Sequence, residues 1–152
     1  MTATLRLLSA DEIAEVAPEI EEAYADDIER DAGFPRDVAR RKASEEIPQV
    51  LGDGANWLYS LEADGQRVGR LWVGERELQQ GRVLWIWEVF VDERFRGRGF
   101  GRDAMMLAED LARERGLAIV ALNVFGGNDV ARRLYRSLDY DEVAVSMQKS
   151  VG

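Results

Sequence analysis

The run Val83-Leu84-Trp85-Ile86-Trp87-Glu88-Val89-Phe90-Val91 is apolar at every position but one, the pattern of a strand covered on both faces. A second, nearly continuous apolar stretch runs from Leu117 to Val124. Between them Ala104, Leu107, Ala108, Leu111 and Ala112 recur at helical spacing, which predicts a helix from about Phe100 to Arg115, and Gly116 suits the left-handed C-terminal position. Two buried strands joined by a helix of about four turns form a parallel pair by the usual crossover. A chain containing that unit builds a sheet with helices packed against it.

The remaining segments fit around this pair. Ser9-Ala10-Asp11-Glu12 reads as a capping box, and Ile13, Val16, Ile20 and Tyr24 continue it as an amphipathic helix to about Ala25. A second helix is predicted from about Pro35 to Glu46, with Pro48 limiting it. Trp57 to Leu61 and Val68 to Val73 flank Ala63-Asp64-Gly65-Gln66 as a hairpin, with the next turn near Glu77 to Gly81. A short helix from Asn128 through Leu138 and an alternating last strand from Tyr140 to Lys149 complete the chain. The expected architecture is α/β (mixed α+β): a central mixed, mostly antiparallel sheet with helices on both faces, in a single domain over residues 1–152.

Composition narrows the chemistry. With no cysteine and no histidine, disulfides, Cys/His metal sites, Ser-His-Asp and Cys-His catalysis and a histidine base are all excluded, and no metal is expected. Carboxylates, tyrosine, serine, backbone amides or a borrowed cofactor remain. The formal net charge of −9 is unevenly placed: residues 1–64 carry 6 basic and 16 acidic side chains, residues 65–152 carry 14 and 13. An acidic N-terminal half disfavours nucleic acid and attracts cations. No apolar run is long enough to span a bilayer, and Met1 to Ala10 lacks the order of a secretory signal, so a cytoplasmic location is expected.

Arg94-Phe95-Arg96-Gly97-Arg98-Gly99-Phe100-Gly101-Arg102 lies where the first buried strand ends and the helix begins. Alternating glycines allow the backbone to approach a ligand closely, and the helix start adds unpaired N–H donors and partial positive charge. Such a turn suits a pyrophosphate. The chain has no Gly-Lys pair for a Walker loop, and Arg102 stands where the dinucleotide fingerprint needs its third glycine. Arg96-Gly97-Arg98-Gly99-Phe100-Gly101 instead resembles the R/Q-x-x-G-x-G/A motif of the GNAT superfamily of acetyl-CoA-dependent N-acetyltransferases. Asn128-Asp129-Val130-Ala131-Arg132-Arg133-Leu134-Tyr135 resembles that family's later Asn-x-x-Ala-x-x-Leu-Tyr motif, in the family's order and spacing. Asp139 stands where the family usually has glycine, a turn position Asp tolerates at small cost.

The resemblance implies transfer of an acetyl group from acetyl-CoA to a primary amine of a small molecule or peptide, by direct attack in a ternary complex. It implies a pyrophosphate site on Arg96, Gly97, Arg98, Gly99, Phe100, Gly101 and Arg102. It further implies that the pantetheine lies beside Val89, Phe90 and Val91, where the parallel strands splay, and that Asn128 contacts the cofactor besides capping its helix. Tyr135 is the implied acid for the departing thiolate. Glu88, alone among apolar neighbours and sharing parity with Leu84, Ile86 and Phe90, reads either as base or amine anchor, or as the partner of an arginine such as Arg70. Asn123 stands where some relatives place a base glutamate, so a water relay is a third route. A different acyl-CoA, or a non-catalytic acyl-CoA-binding module, fits the same motifs. The amine acceptor, expected to be cationic, has no motif of its own; Tyr24, Asp27, Trp57 and Trp72 are the aromatic and acidic candidates. No nucleic acid or membrane partner is expected, and a homodimer is compatible with the sequence.

Overall fold

The computed structural model describes residues 2–152. Five strands and four α-helices alternate as β1 (Thr4–Leu7), α1 (Ala10–Ala32), α2 (Arg36–Leu51), β2 (Asn56–Ala63), β3 (Gln66–Leu78), β4 (Gly81–Val91), α3 (Phe100–Glu114), β5 (Val120–Leu122) and α4 (Asp129–Ser137), with a single 3₁₀ turn at Glu93–Phe95. The sheet order is β1-β2-β3-β4-β5. Its first three pairings are antiparallel and β4–β5 is parallel, as the crossover argument requires. One face packs on α3, where Leu71, Val73, Leu84 and Ile86 meet Met105, Ala108 and Ala112. The other face packs on α1 and α2 through Leu58, Trp72, Val16, Ile20 and Ile47.

Local chemistry explains most boundaries. The Ser9 hydroxyl accepts from the Glu12 amide and the Glu12 carboxylate accepts from the Ser9 amide, the expected capping box. Asp64 and Gly65 both take positive φ (52° and 75°) in the β2–β3 turn, the conformation a two-residue hairpin loop needs. Gly116 is left-handed (φ 70°), and the Leu117 amide reaches back to the Ala112 carbonyl at 2.9 Å to close α3. Asp139 does take the left-handed position (φ 66°) after α4.

Three boundaries differ from the sequence reading. α1 continues to Ala32, where left-handed Gly33 ends it. α2 runs through Pro48 to Leu51, because Ile47, Val50 and Leu51 pack into the Trp72 cluster and that burial holds the final turn despite the lost amide. No strand forms from Tyr140 to Lys149: residues 139–152 lie in no helix or strand, and every residue beyond Tyr140 is exposed. Alternating side chains make a strand only when a neighbouring backbone pairs with it, and β5, itself only three residues long, is the sheet's last strand. β1, by contrast, forms by pairing with β2 and had no strong pattern of its own.

Candidate active site

The β4–β5 ladder covers only Leu84–Val120, Trp85–Ala121 and Ile86–Leu122. Beyond Ile86, β4 continues to Val91 paired on its other side with β3 alone, so the two parallel strands part and leave a wedge open toward the glycine turn. Gly97 (φ 77°) and Gly99 (φ 87°) are both left-handed, and a Cβ at either would touch nothing. The conformation rather than crowding therefore selects glycine there. Gly101 has an ordinary negative φ, and a Cβ there would come within 3.4 Å of the Leu134 side chain on α4. α3 begins on Gly99 without a side-chain cap. Among the described residues, no backbone N–H from Gly97 to Arg102 donates to a protein acceptor. Six consecutive donors at a helix N-terminus make an anion cradle.

Arginines surround this cradle. Arg94, Arg96, Arg98 and Arg102 have no carboxylate partner among the described residues, whereas Arg6, Arg36 and Arg70 do. Arg96 Nε donates to the Val91 carbonyl at 2.9 Å and its guanidinium lies over Phe90. Arg102 donates to Ser137 Oγ at 2.7 Å, linking α3 to α4. In a chain of net −9 this is a local reserve of positive charge.

The ladder shifts between Trp72 and Val73: Trp72 pairs with Glu88 and Val73 with Ile86, so Trp87 is an extra residue in β4. This bulge reverses the side-chain alternation. Leu84 and Ile86 before it, and Val89 and Val91 after it, all face α3. Glu88 therefore does not share a face with Leu84 and Ile86; it lies with Phe90, Arg70 and Trp72 on the α1 side. There it forms a forked ion pair with Arg70, Oε1 at 2.6 Å from Nε and Oε2 at 3.1 Å from Nη2. Arg70, only 2% exposed, also reaches Glu19 of α1 at 3.5 Å and stacks on Phe90. Burial pushes the Glu88 carboxyl above the usual carboxylate range against the pull of the guanidinium.

Asn128 caps α4, its Oδ1 accepting from the Ala131 amide at 3.2 Å. Tyr135, on the same helix, packs against the α3-side core with its ring 6.0 Å from Tyr140. Burial, reinforced by the negative charge of Asp27, pushes its phenol up to about 12. Asp27 adds in a lesser way to the rise at Glu88; burial raises the Asp27 carboxyl above its ordinary range while Arg30 holds it at 2.7 Å. The loop after β5 presses on the same end of α1, since a Cβ on Gly127 would lie 2.9 Å from the Asp31 carbonyl oxygen. Asn123 stands just beyond β5 and is exposed.

The other acceptor candidates disperse. Tyr24 donates to Glu46 at 2.8 Å. Trp57 faces α3 beneath Arg115, across the sheet from Glu88. Trp72 is buried in the α1-side core beside Trp87, and its Nε1 has no partner. Arg70 is the neighbouring-strand arginine that the sequence reading named as an alternative partner of Glu88, whereas the bulge at Trp87 had no signal in the run that contains it.

Residues 17–140 match the model of the acetyltransferase (GNAT) family. The uncharacterized N-acetyltransferase YdgE of Bacillus subtilis is 29% identical over 106 residues, covering 69% of this chain and 68% of that protein. A mycothiol acetyltransferase of Beutenbergia cavernae is 34% identical over 95 residues, 62% of this chain but only 31% of that one. The structure of YycN from Bacillus subtilis superposes with a TM-score of 0.88 over 99% of both chains at 24% identity. A predicted acetyltransferase of Clostridium acetobutylicum, whose structure holds acetyl-CoA, superposes with a TM-score of 0.66 over 99% of this chain and 97% of that one at 12% identity. The family match over most of the chain, with the shared fold, makes this chain a member of the GNAT acetyltransferase family.

Proposed function

We propose that this chain transfers an acetyl group from acetyl-CoA to a primary amine, the two bound together in the wedge between β4 and β5. The observation that carries the reading is the row of six free amides from Gly97 to Arg102 flanked by arginines without carboxylate partners, at the mouth of that wedge. Those amides would hold the pyrophosphate, with Arg96, Arg98 and Arg102 neutralising it. The unpaired side of β4 at Val89, Phe90 and Val91 would align the pantetheine, and Asn128 fixes the start of the helix bordering it. Bound acetyl-CoA supplies the acyl group and the leaving thiolate. Tyr135, protonated at any working pH because its phenol is raised to about 12, would hold a proton for that thiolate.

On the acceptor side the Glu88–Arg70 fork uses one lone pair of each carboxylate oxygen, and the remaining lone pairs leave Glu88 able to accept from an amine or an intervening water. Glu88 would thus anchor the amine or receive its proton, with Asp27 adding negative charge. We expect acetyl-CoA at ~100 times its dissociation constant to stabilise the fold by about 2.7 kcal/mol. Arg98→Glu changes an exposed side chain with no carboxylate partner, so it should keep the parent's melting temperature while losing most of that gain. Gly99→Asp should lose it too, at some cost to the fold from its left-handed backbone. A full thermal shift in both variants would remove the turn as the phosphate site. Thiol release with acetyl-, propionyl- and longer acyl-CoA in the presence of amines measures transfer and acyl preference together.

A further inference from the structure

Where the wedge opens, β4 is held from one side only. Beyond Ile86 its neighbour is β3 alone, so the course of β3 decides where Val89, Phe90 and Val91 stand. β3 bends at this point. Leu61 pairs with Gly69 and Glu62 with Arg67, which leaves Val68 as an extra residue in β3, and the Val68 side chain joins Phe100 and Ala104 on the α3 side. A bulge of this kind bends its strand and adds twist. β4 follows the bend because it stays bonded to β3, whereas its ladder with β5 has already ended at Ile86.

Gly69 lets the two strands stay together through the bend. The Phe90 carbonyl oxygen stands where a Cβ on Gly69 would go, and the Phe90 carbonyl carbon and Val91 Cα would each lie 3.0 Å from that Cβ. The φ of Gly69 is not positive, so close approach of another backbone, and not conformation, selects glycine here. Just beyond, the Asp92 amide donates to the Val68 carbonyl at 2.8 Å, a second tie between the end of β4 and the bulge. With the Phe90 carbonyl turned toward β3, alternation turns the main-chain groups of Val89 and Val91 toward the wedge. The Val91 carbonyl accepts from Arg96 Nε there at 2.9 Å.

We propose that Gly69 is a positioning residue for the cofactor: by admitting the Phe90 carbonyl it holds the end of β4 back on β3 and keeps open the slot that the pantetheine arm enters. This role rests on the acetyl-transfer reading above and extends it to a residue of β3, on the side of β4 away from the wedge. Every atom that a Cβ on Gly69 would meet belongs to the main chain of β4, so no side chain can swing aside. The strand itself must yield, and the side on which it has no neighbour is the wedge.

Titration calorimetry with acetyl-CoA and with ADP, which carries the pyrophosphate without the pantetheine arm, tests this. The parent should bind acetyl-CoA more tightly than ADP. Gly69→Ala should keep the parent's ADP affinity and bind acetyl-CoA about tenfold more weakly, because the slot takes up the overpacking. Gly74→Ala controls for a merely structural effect. It crowds the same strand, its Cβ meeting the Ala55 carbonyl oxygen at 2.9 Å and Trp87 Nε1 at 3.0 Å, but across the Trp87 bulge from Phe90. The ratio of its two affinities should match the parent's. An unchanged ratio in Gly69→Ala, an equal fall in Gly74→Ala, or a Gly69→Ala chain that does not fold would each overturn the role of Gly69, the last by making it a determinant of the sheet and not of the slot. A parent that binds acetyl-CoA no better than ADP would instead remove the pantetheine contact, and with it the reading on which this role rests.

Discussion

At the scale of single residues, burial has shifted two groups of the candidate site. Tyr135→Phe should bind acetyl-CoA as the parent does and turn over ~10²–10⁴-fold more slowly, the range for a positioned acid. The raised phenol has a second consequence. A group whose folded pKa lies above its unfolded value adds stability that is present below the unfolded value, near ~10 for tyrosine, and lost as pH climbs through about 12. The parent should therefore lose stability relative to Tyr135→Phe across that window, and alkaline unfolding of the pair measures it. Equal pH profiles would show that the phenol is not buried. The second group is the Glu88–Arg70 pair, Arg70 being 2% exposed. Arg70→Leu leaves a largely buried carboxylate uncompensated and should cost about 3–5 kcal/mol, whereas Arg70→Leu with Glu88→Leu should recover most of it. Chemical denaturation of the three variants separates a mainly structural pair from an acceptor group, because a role in transfer predicts that the double variant folds and is slow.

At the scale of elements, the site depends on how α1, the loop after β5 and α4 meet. Gly127 lies against the backbone of Asp31, and a Cβ there would approach its carbonyl oxygen to 2.9 Å and its Cα to 3.2 Å. Neither is the end of a flexible side chain, so Gly127→Ala must push the loop from α1, at about 1–3 kcal/mol by the usual cost of overpacking. Asn128 and Tyr135 follow directly on that loop. A lower melting temperature with turnover reduced beyond what the folded fraction explains is the expected outcome; an unchanged melting temperature would mean the loop does not seat on α1. α3 shows the complementary economy, its first turn uncapped by any side chain and its first amides without a protein acceptor.

At the scale of the whole molecule, charge is segregated. Residues 1–64, with 16 acidic against 6 basic side chains, build α1 and α2 on the face where Glu88, Glu19 and Asp27 lie, while Arg94, Arg96, Arg98 and Arg102, without carboxylate partners among the described residues, stand at the glycine turn. A cationic amine and an anionic cofactor would approach regions of opposite sign. Polycationic and lysine-like amines should outperform neutral or anionic ones. Their apparent second-order rate constants should fall as salt rises, because attraction of this kind is screened within about 8–10 Å at physiological ionic strength. A panel of amines at two salt concentrations tests this, and an anionic amino acid as best acceptor would refute it.

Sequence by itself determined whatever depends on neighbours along the chain. The β4–α3–β5 crossover, the left-handed glycines of the turn, the Ser9 capping box, the Asn128 cap and the left-handed Asp139 follow from periodicity, backbone freedom and short-range hydrogen bonds. Tertiary structure decided whatever depends on what lies across the sheet. The bulge at Trp87 moved Glu88 to the α1 face, since an extra residue reverses alternation without altering the apolar run that contains it. Arg70 became its partner because β3 sets the register. Packing around Trp72 carried α2 through Pro48. The alternating residues after Tyr140 did not become a strand, because a strand needs another backbone to accept its hydrogen bonds, and side-chain pattern cannot supply one.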